Sequence, residues 1–269
     1  QLFGAEEMLH AAAGGDRLCA LTADKAVLCY GVVRYNGVTR HYYDQQGHPA
    51  AGEWLLDSTM QVDSWPADLS VGSHHDCYIA TGGDAFCIGS NTYGALGGGA
   101  DVVVEDDLFL WGSARVAGGH GFRAITAGED HTCGLAGTIA YCWGFNGQGG
   151  LGLGDFTEPD VPNPVAGNLQ FAQIDAGAWY TCGVTVDNIA YCWGDNRAGQ
   201  LGNGTRTLSF SPVRVAGDIR FRSVDAGRDH TCGMSIDSIV YCWGSNSYGQ
   251  LGDGSTSDAL VPVKVARQP

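Results

Sequence analysis

The 269-residue chain has 42 glycines, 44% apolar residues and a net charge of −15, from 14 Lys and Arg against 29 Asp and Glu. That apolar content excludes a disordered chain, and the charge excludes nucleic acid and anionic membrane as partners, since both need a basic surface. No apolar run approaches the ~20 residues of a membrane span, so no membrane insertion is expected; no signal peptide is visible, although a chain opening at Gln1 is compatible with a processed product.

In chain order, one unit recurs. It begins worn, as "AAAGGDRLCALTADKAVLCYG" from Ala11, and is followed by an aromatic insertion over 34–65 that carries Tyr35, Tyr42, Tyr43, Trp54 and Trp65. It returns as "LSVGSHHDCYIATGGDAFCIGSNTYGALG" from Leu69, with an acidic insertion behind it. Three close copies follow: "ITAGEDHTCGLAGTIAYCWGFNGQGGLG" from Ile125, "IDAGAWYTCGVTVDNIAYCWGDNRAGQLG" from Ile174 and "VDAGRDHTCGMSIDSIVYCWGSNSYGQLG" from Val224. First cysteines are 58, 56, 49 and 50 residues apart, a period that signals a solenoid or propeller. The expected organisation is one domain over 1–269, with units at about 1–62, 63–119, 120–168, 169–218 and 219–269.

Within a unit, "FRSVDAG" and "VYCWG" are β-branched, aromatic and partly alternating, bounded by Gly and Asp, and too short for helices. They are predicted strands. The ten cysteines fall as five pairs, Cys19–Cys29, Cys77–Cys87, Cys133–Cys142, Cys182–Cys192 and Cys232–Cys242, and no CxxC cluster suggests zinc. A two-residue loop at Gly137 and Thr138 sets Cys133 opposite Cys142. A three-residue loop such as Val186, Asp187 and Asn188 sets Cys182 opposite Cys192. Directly opposed, non-hydrogen-bonded residues have Cα atoms about 4.5 Å apart, within disulfide range. Five hairpin disulfides are therefore expected, each closing a loop worth roughly 2.5 kcal/mol, with free thiols in a reducing compartment as the alternative.

These units resemble the repeats of the regulator of chromosome condensation (RCC1) family, in which AGxxH(S/T), a strand pair ending in WG and a GxNxxGQLG turn build one four-stranded blade. The match is close over Gly128–Gly152, Gly177–Gly202 and Gly227–Gly252 and fair over Gly72–Gly97; before residue 36 only AG, the cysteine pair and a final Gly survive. The resemblance implies an all-β propeller. Its cysteine-paired hairpins look like the extracellular bacterial branch of the family. Family propellers usually have seven blades, and no blade fits in the extra residues between the five units here. A five-bladed ring is therefore expected, in preference to an open or assembly-completed arc.

Chemistry is sparse. No GxSxG, GxxxxGK(S/T) or HExxH occurs, so no catalytic residue and no cofactor is assigned. His75, His131 and His230 share one repeat position, but Arg17 and Tyr180 replace them in the other units, and a backbone-bonding role is preferred over metal. Asp101, Glu105, Asp106 and Asp107 are weak calcium candidates in what reads as a solvated acidic loop. Asn203, Gly204 and Thr205 form a glycosylation triplet. The two positions after AG vary while everything around them repeats: Gly15 and Asp16, Ser73 and His74, Glu129 and Asp130, Ala178 and Trp179, Arg228 and Asp229. They are predicted to share one rim, where recognition residues sit on a rigid scaffold. Partner contacts are assigned to His74, Glu129, Asp130, Trp179, Tyr180, Arg228 and Asp229, with Trp179 and Tyr180 as the aromatic anchor.

The resulting expectation is a secreted, extracellular or periplasmic module, not an enzyme, that presents a propeller rim to a protein or cell-surface partner, with self-association and a glycan ligand also open. The alternatives are a lectin-like carbohydrate-binding propeller and, third, an enzyme with its site over the central channel.

Overall fold

The computed structural model describes residues 68–106 and 111–266, together with the strands Met8–Gly14, Arg17–Thr22, Val27–Gly31, Val33–Tyr35, Val38–Arg40 and Trp54–Leu55. These strands form five antiparallel sheets, one per repeat, and a separate two-stranded pair. Blade 3 runs outward from the axis as Phe122–Ala127, His131–Ala136, Ile139–Gly144 and Asn163–Pro164. Blade 4 is Phe171–Ala176, Tyr180–Thr185, Ala190–Gly194 and Ser209–Arg214, and blade 5 is Phe221–Ala226, His230–Ser235, Val240–Gly244 and Ala259–Lys264. Innermost strands pack side by side from blade 1 to blade 5 and line a central cavity of about 490 Å³. The architecture is a five-bladed β-propeller.

The cysteine register is as predicted. Cys133 opposes Cys142 with Ala136 paired to Ile139, and Cys182 opposes Cys192. Four disulfides span Cys77–Cys87, Cys133–Cys142, Cys182–Cys192 and Cys232–Cys242, with Cα separations of 4.0–4.1 Å. Cys19 is also disulfide-bonded and pairs in register with Cys29.

Blades are joined by a repeated wedge. Trp143, Trp193 and Trp243 are fully buried, and each indole N–H donates to a carbonyl of the preceding blade's glycine turn: Ala95, Gly150 and Gln200, at 2.9, 2.9 and 2.8 Å. Thr132, Thr181 and Thr231 donate to the same three carbonyls. Phe122, Phe171 and Phe221 lie against the three indoles, ring centroids 5.6–5.9 Å apart. The turns require glycine: Gly152 and Gly202 have φ of 68° and 62°, and a Cβ on either would strike the next blade's Trp at 2.7 Å.

Both insertions contribute strands. Trp54–Leu55, inside the 34–65 insertion, pairs with Val27–Gly31 and completes blade 1 as its outer strand, with Trp54 opposite Cys29. Tyr42, Tyr43 and Trp65 lie outside the described residues. The acidic insertion is not wholly a loop, because Val103–Asp106 adds a fifth, outermost strand to blade 2 against Trp111–Arg115.

A closed five-bladed ring requires the outer face of blade 5 to meet blade 1, and the described residues of both faces remain exposed. Ala11 and Ala13 of blade 1 are exposed where Ile125 and Ala127 are buried in blade 3. Met234 of blade 5 is 36% exposed where Leu135 and Val184 are buried. Blade 1 carries Leu18 and Tyr30 at the positions of the docking Thr and Trp.

Candidate functional site at the channel mouth

The repeat position read as a shared histidine site is a joint between blades. Thr132 and Thr181 give their hydroxyl protons to carbonyls, so each accepts from a histidine Nε2–H: His75 to Thr132 at 2.6 Å and His131 to Thr181 at 3.0 Å. Burial lowers the His131 pKa to about 4, so the ring is neutral, and its Nδ1 is buried without a partner. Among the described residues no three His, Cys, Asp or Glu side chains converge on a metal position. The His131 ring also explains the glycine three residues before it: a Cβ on Gly128 would sit 2.4 Å from that ring.

Tyr180 corrects the assignment of an aromatic pair at the rim. It is fully buried and occupies the same joint, its hydroxyl donating to the His230 carbonyl at 2.5 Å and lying 3.0 Å from Thr231 Oγ1. Burial pushes its phenol well above the ordinary range. Tyr180 is packing, not an anchor.

The variable positions, by contrast, gather at one mouth of the channel. His74, Glu129 and Arg228 line the central cavity with Ser73 and Ala178. His74 is nearly buried, and its Nδ1 lies 2.8 Å from Asp130 Oδ1, which ties blade 2 to blade 3 and turns both side chains toward structure. Glu129 Oε2 is buried without a partner, and that desolvation raises its pKa against the pull of Arg228 and His74. It is the one carboxylate lining the cavity among the described residues.

Beside the cavity lies a second hollow of about 390 Å³, lined by Trp179, Asp195, Arg197, Arg228, Asp229 and Asp258. Trp179 is half-buried, with the Arg197 guanidinium 5.4 Å from its ring centre in cation–π geometry. Asp195 holds Arg197 at 2.9 Å. Arg228, with its side chain 70% exposed, borders both hollows, 3.6 Å from Asp229. Sequence reasoning missed Arg197 and Asp195. Their signal was of the kind that found Trp179: Arg197 varies inside a repeated turn whose other copies carry Thr92, Gly147 and Ser247. Asn196 and Asn246 in those turns are structural, each accepting the backbone N–H five residues on at 3.0 Å.

Of the calcium candidates, Asp101 ends an exposed 3-10 turn, while the Glu105 and Asp106 side chains and all of Asp107 lie outside the described residues, as do Gly15 and Asp16 of the rim.

The regulator of chromosome condensation (RCC1) repeat model matches residues 139–184, 187–234 and 237–269, and a second model of the same repeat matches 171–200 and 221–250. No curated protein sequence matches. Among solved structures, the chain is similar to Prp20p from Saccharomyces cerevisiae, studied with its binding to Gsp1p and histones: 20% identity, TM-score 0.83, covering 98% of this chain and 64% of that one. The same yeast protein bound to Kap60 superposes with a TM-score of 0.82 at 20% identity, over 98% of this chain and 62% of the other. Human WBSCR16 gives a TM-score of 0.76 at 16% identity, over 97% and 67%. The chain thus spans less than two thirds of the yeast protein's length. Its C-terminal half, residues 139–269, is thus built of RCC1-type repeats, and the whole chain shares the propeller fold of these structures.

Proposed function

We propose that the chain is a non-enzymatic protein-binding module working in a disulfide-permitting, extracellular or periplasmic setting, and that it meets its partner at the channel mouth. The observation that carries this reading is the convergence of the non-repeating residues. Glu129, Trp179, Arg197, Arg228 and Asp229 line two adjoining hollows at one end of a scaffold whose other positions are spent on packing. An aromatic side chain under a guanidinium, ringed by charges of both signs, is the composition of a protein-contact hot spot. The disulfides support a non-reducing setting. Prp20p, with the same fold, is described with protein partners, which supports the class of ligand and leaves its identity open.

The test is capture of partners from extracellular or periplasmic material with the oxidised chain, followed by binding measurements with Trp179→Ala and Arg228→Ala. Loss of binding with an unchanged melting curve supports the mouth. Normal binding by both variants, or selective binding on a glycan array with no protein captured, refutes this reading; the second result favours the lectin alternative.

A further inference from the structure

We infer that the outward face of blade 5 is a docking surface for the exposed face of blade 1 on a second copy of this chain, giving head-to-tail association. The inference is independent of the channel mouth. It rests on an interface that the molecule already builds repeatedly. On the innermost strands, a side chain of one blade bonds the backbone of the next: Asp68 accepts from Ile125 N–H, Ser70 from Ala127, Gln173 from Val224 and Asp175 from Ala226, at 2.7–2.9 Å. Further out, Ile79, Leu135 and Val184 pack beneath the next blade's Phe and Trp. The glycine turn then offers its carbonyl to that indole.

Blade 5 carries the whole set with no partner opposite it among the described residues. Ser223 and Asp225 stand at the positions of Gln173 and Asp175, His230 at that of His131 and Tyr180, and Met234 at that of Val184. Among the described residues the Ser223, Asp225 and His230 side chains make no hydrogen bond to a neighbouring blade. Asp225 is exposed and Met234 is 36% exposed. The complementary half is the opposite face of blade 1. There Ala11 and Ala13 expose the strand whose counterparts, Ile125 and Ala127, receive the preceding blade's carboxylate and hydroxyl.

A second copy of this chain brings both halves of that repeated contact, and the two are different surfaces, so the association is heterologous. The leucine and tyrosine in blade 1 that replace the docking Thr and Trp weaken the joint relative to those inside the chain, which points to reversible, concentration-dependent assembly rather than a permanent dimer. The near-complete superposition on less than two thirds of the yeast chain agrees with an arc that has room for further blades.

The experiment is sedimentation velocity on the oxidised chain across a wide concentration series. Variants would be Asp225→Arg with Met234→Lys at one end and Ala11→Arg at the other. Wild type is expected to gain mass with concentration, and each end variant to bind itself at least tenfold more weakly. A mixture of the two end variants is expected to recover a dimer that grows no further, because each retains one intact face. Trp179→Ala should associate like wild type, which separates this surface from the channel mouth. A wild type that stays monomeric throughout overturns the proposal. So does association that survives in both folded end variants, or a mixture that recovers nothing.

Discussion

Blades 4 and 5 are nearly the same sequence in different surroundings. From Ala176 and Ala226 onward both read AG, a joint residue, TCG, a cysteine hairpin, YCWG and GQLG. Yet the second strand of blade 4 is buried at every position, while that of blade 5 alternates between buried and open. Asp175, enclosed between blades 4 and 5, has its pKa raised to about 6 by burial, whereas Asp225 at the same repeat position is exposed. A repeat supplies only half of its own core; the neighbour supplies the rest.

The largest effect that can break this comparison is an unpaired charge. Val184→Asp should cost more than about 4 kcal/mol, because it buries a carboxylate beneath Phe221 and Trp243, and Met234→Asp should cost less than about 1 kcal/mol. Urea melts of the two variants give both numbers; equal losses would mean that the outer face of blade 5 is covered. Opening one disulfide is smaller and should be more even. Replacing Cys182 and Cys192 by Ala, or Cys232 and Cys242, removes in each case a loop constraint worth about 2.5 kcal/mol that acts on the unfolded chain. Any excess loss in blade 4 therefore reports packing around the bridge, and a melt of each double variant shows it.

The smallest difference is in pH response. Between about pH 4 and 6 folded Asp175 keeps a proton that the unfolded chain has released, so its contribution to stability falls as pH rises through that window. At pH 7 the ionised carboxylate burdens the fold. Relative to Asp175→Asn, wild type should therefore lose roughly 1–2 kcal/mol of stability between pH 4 and 7, and Asp225→Asn should change that dependence little. His131 works in the opposite sense: its lowered pKa gives stability that is lost as pH falls below the ordinary imidazole value toward 4. The comparison must therefore be variant against wild type at each pH, by thermal melting.

Much of this was legible in the sequence. The cysteine spacing determined the hairpin register because side chains on a strand alternate with a period of two, so an odd residue had to be absorbed in the loop. The rim was legible because variation stands out against repetition. Tyr180 was misread for the same reason: it varies, but as a larger ring filling the joint that His131 fills in blade 3. The place of Trp54 opposite Cys29 is not legible in the sequence, because a two-residue strand has no periodicity to read. Arg197 over Trp179 joins two loops of one blade that lie 18 residues apart in sequence, and no local pattern announces that meeting.

The central claim is that the partner reads the channel mouth and not the opposite end of the propeller, where the strand hairpins expose residues such as Val186 at 47%. The direct measurement is the affinity of a captured partner for two folded variants, Trp179→Ala at the mouth and Val186→Asp at the far hairpin. The account predicts that Trp179→Ala weakens binding by about 2 kcal/mol, roughly thirtyfold, with an unchanged melting curve, and that Val186→Asp binds like wild type. Binding lost with Val186→Asp and kept with Trp179→Ala would contradict it.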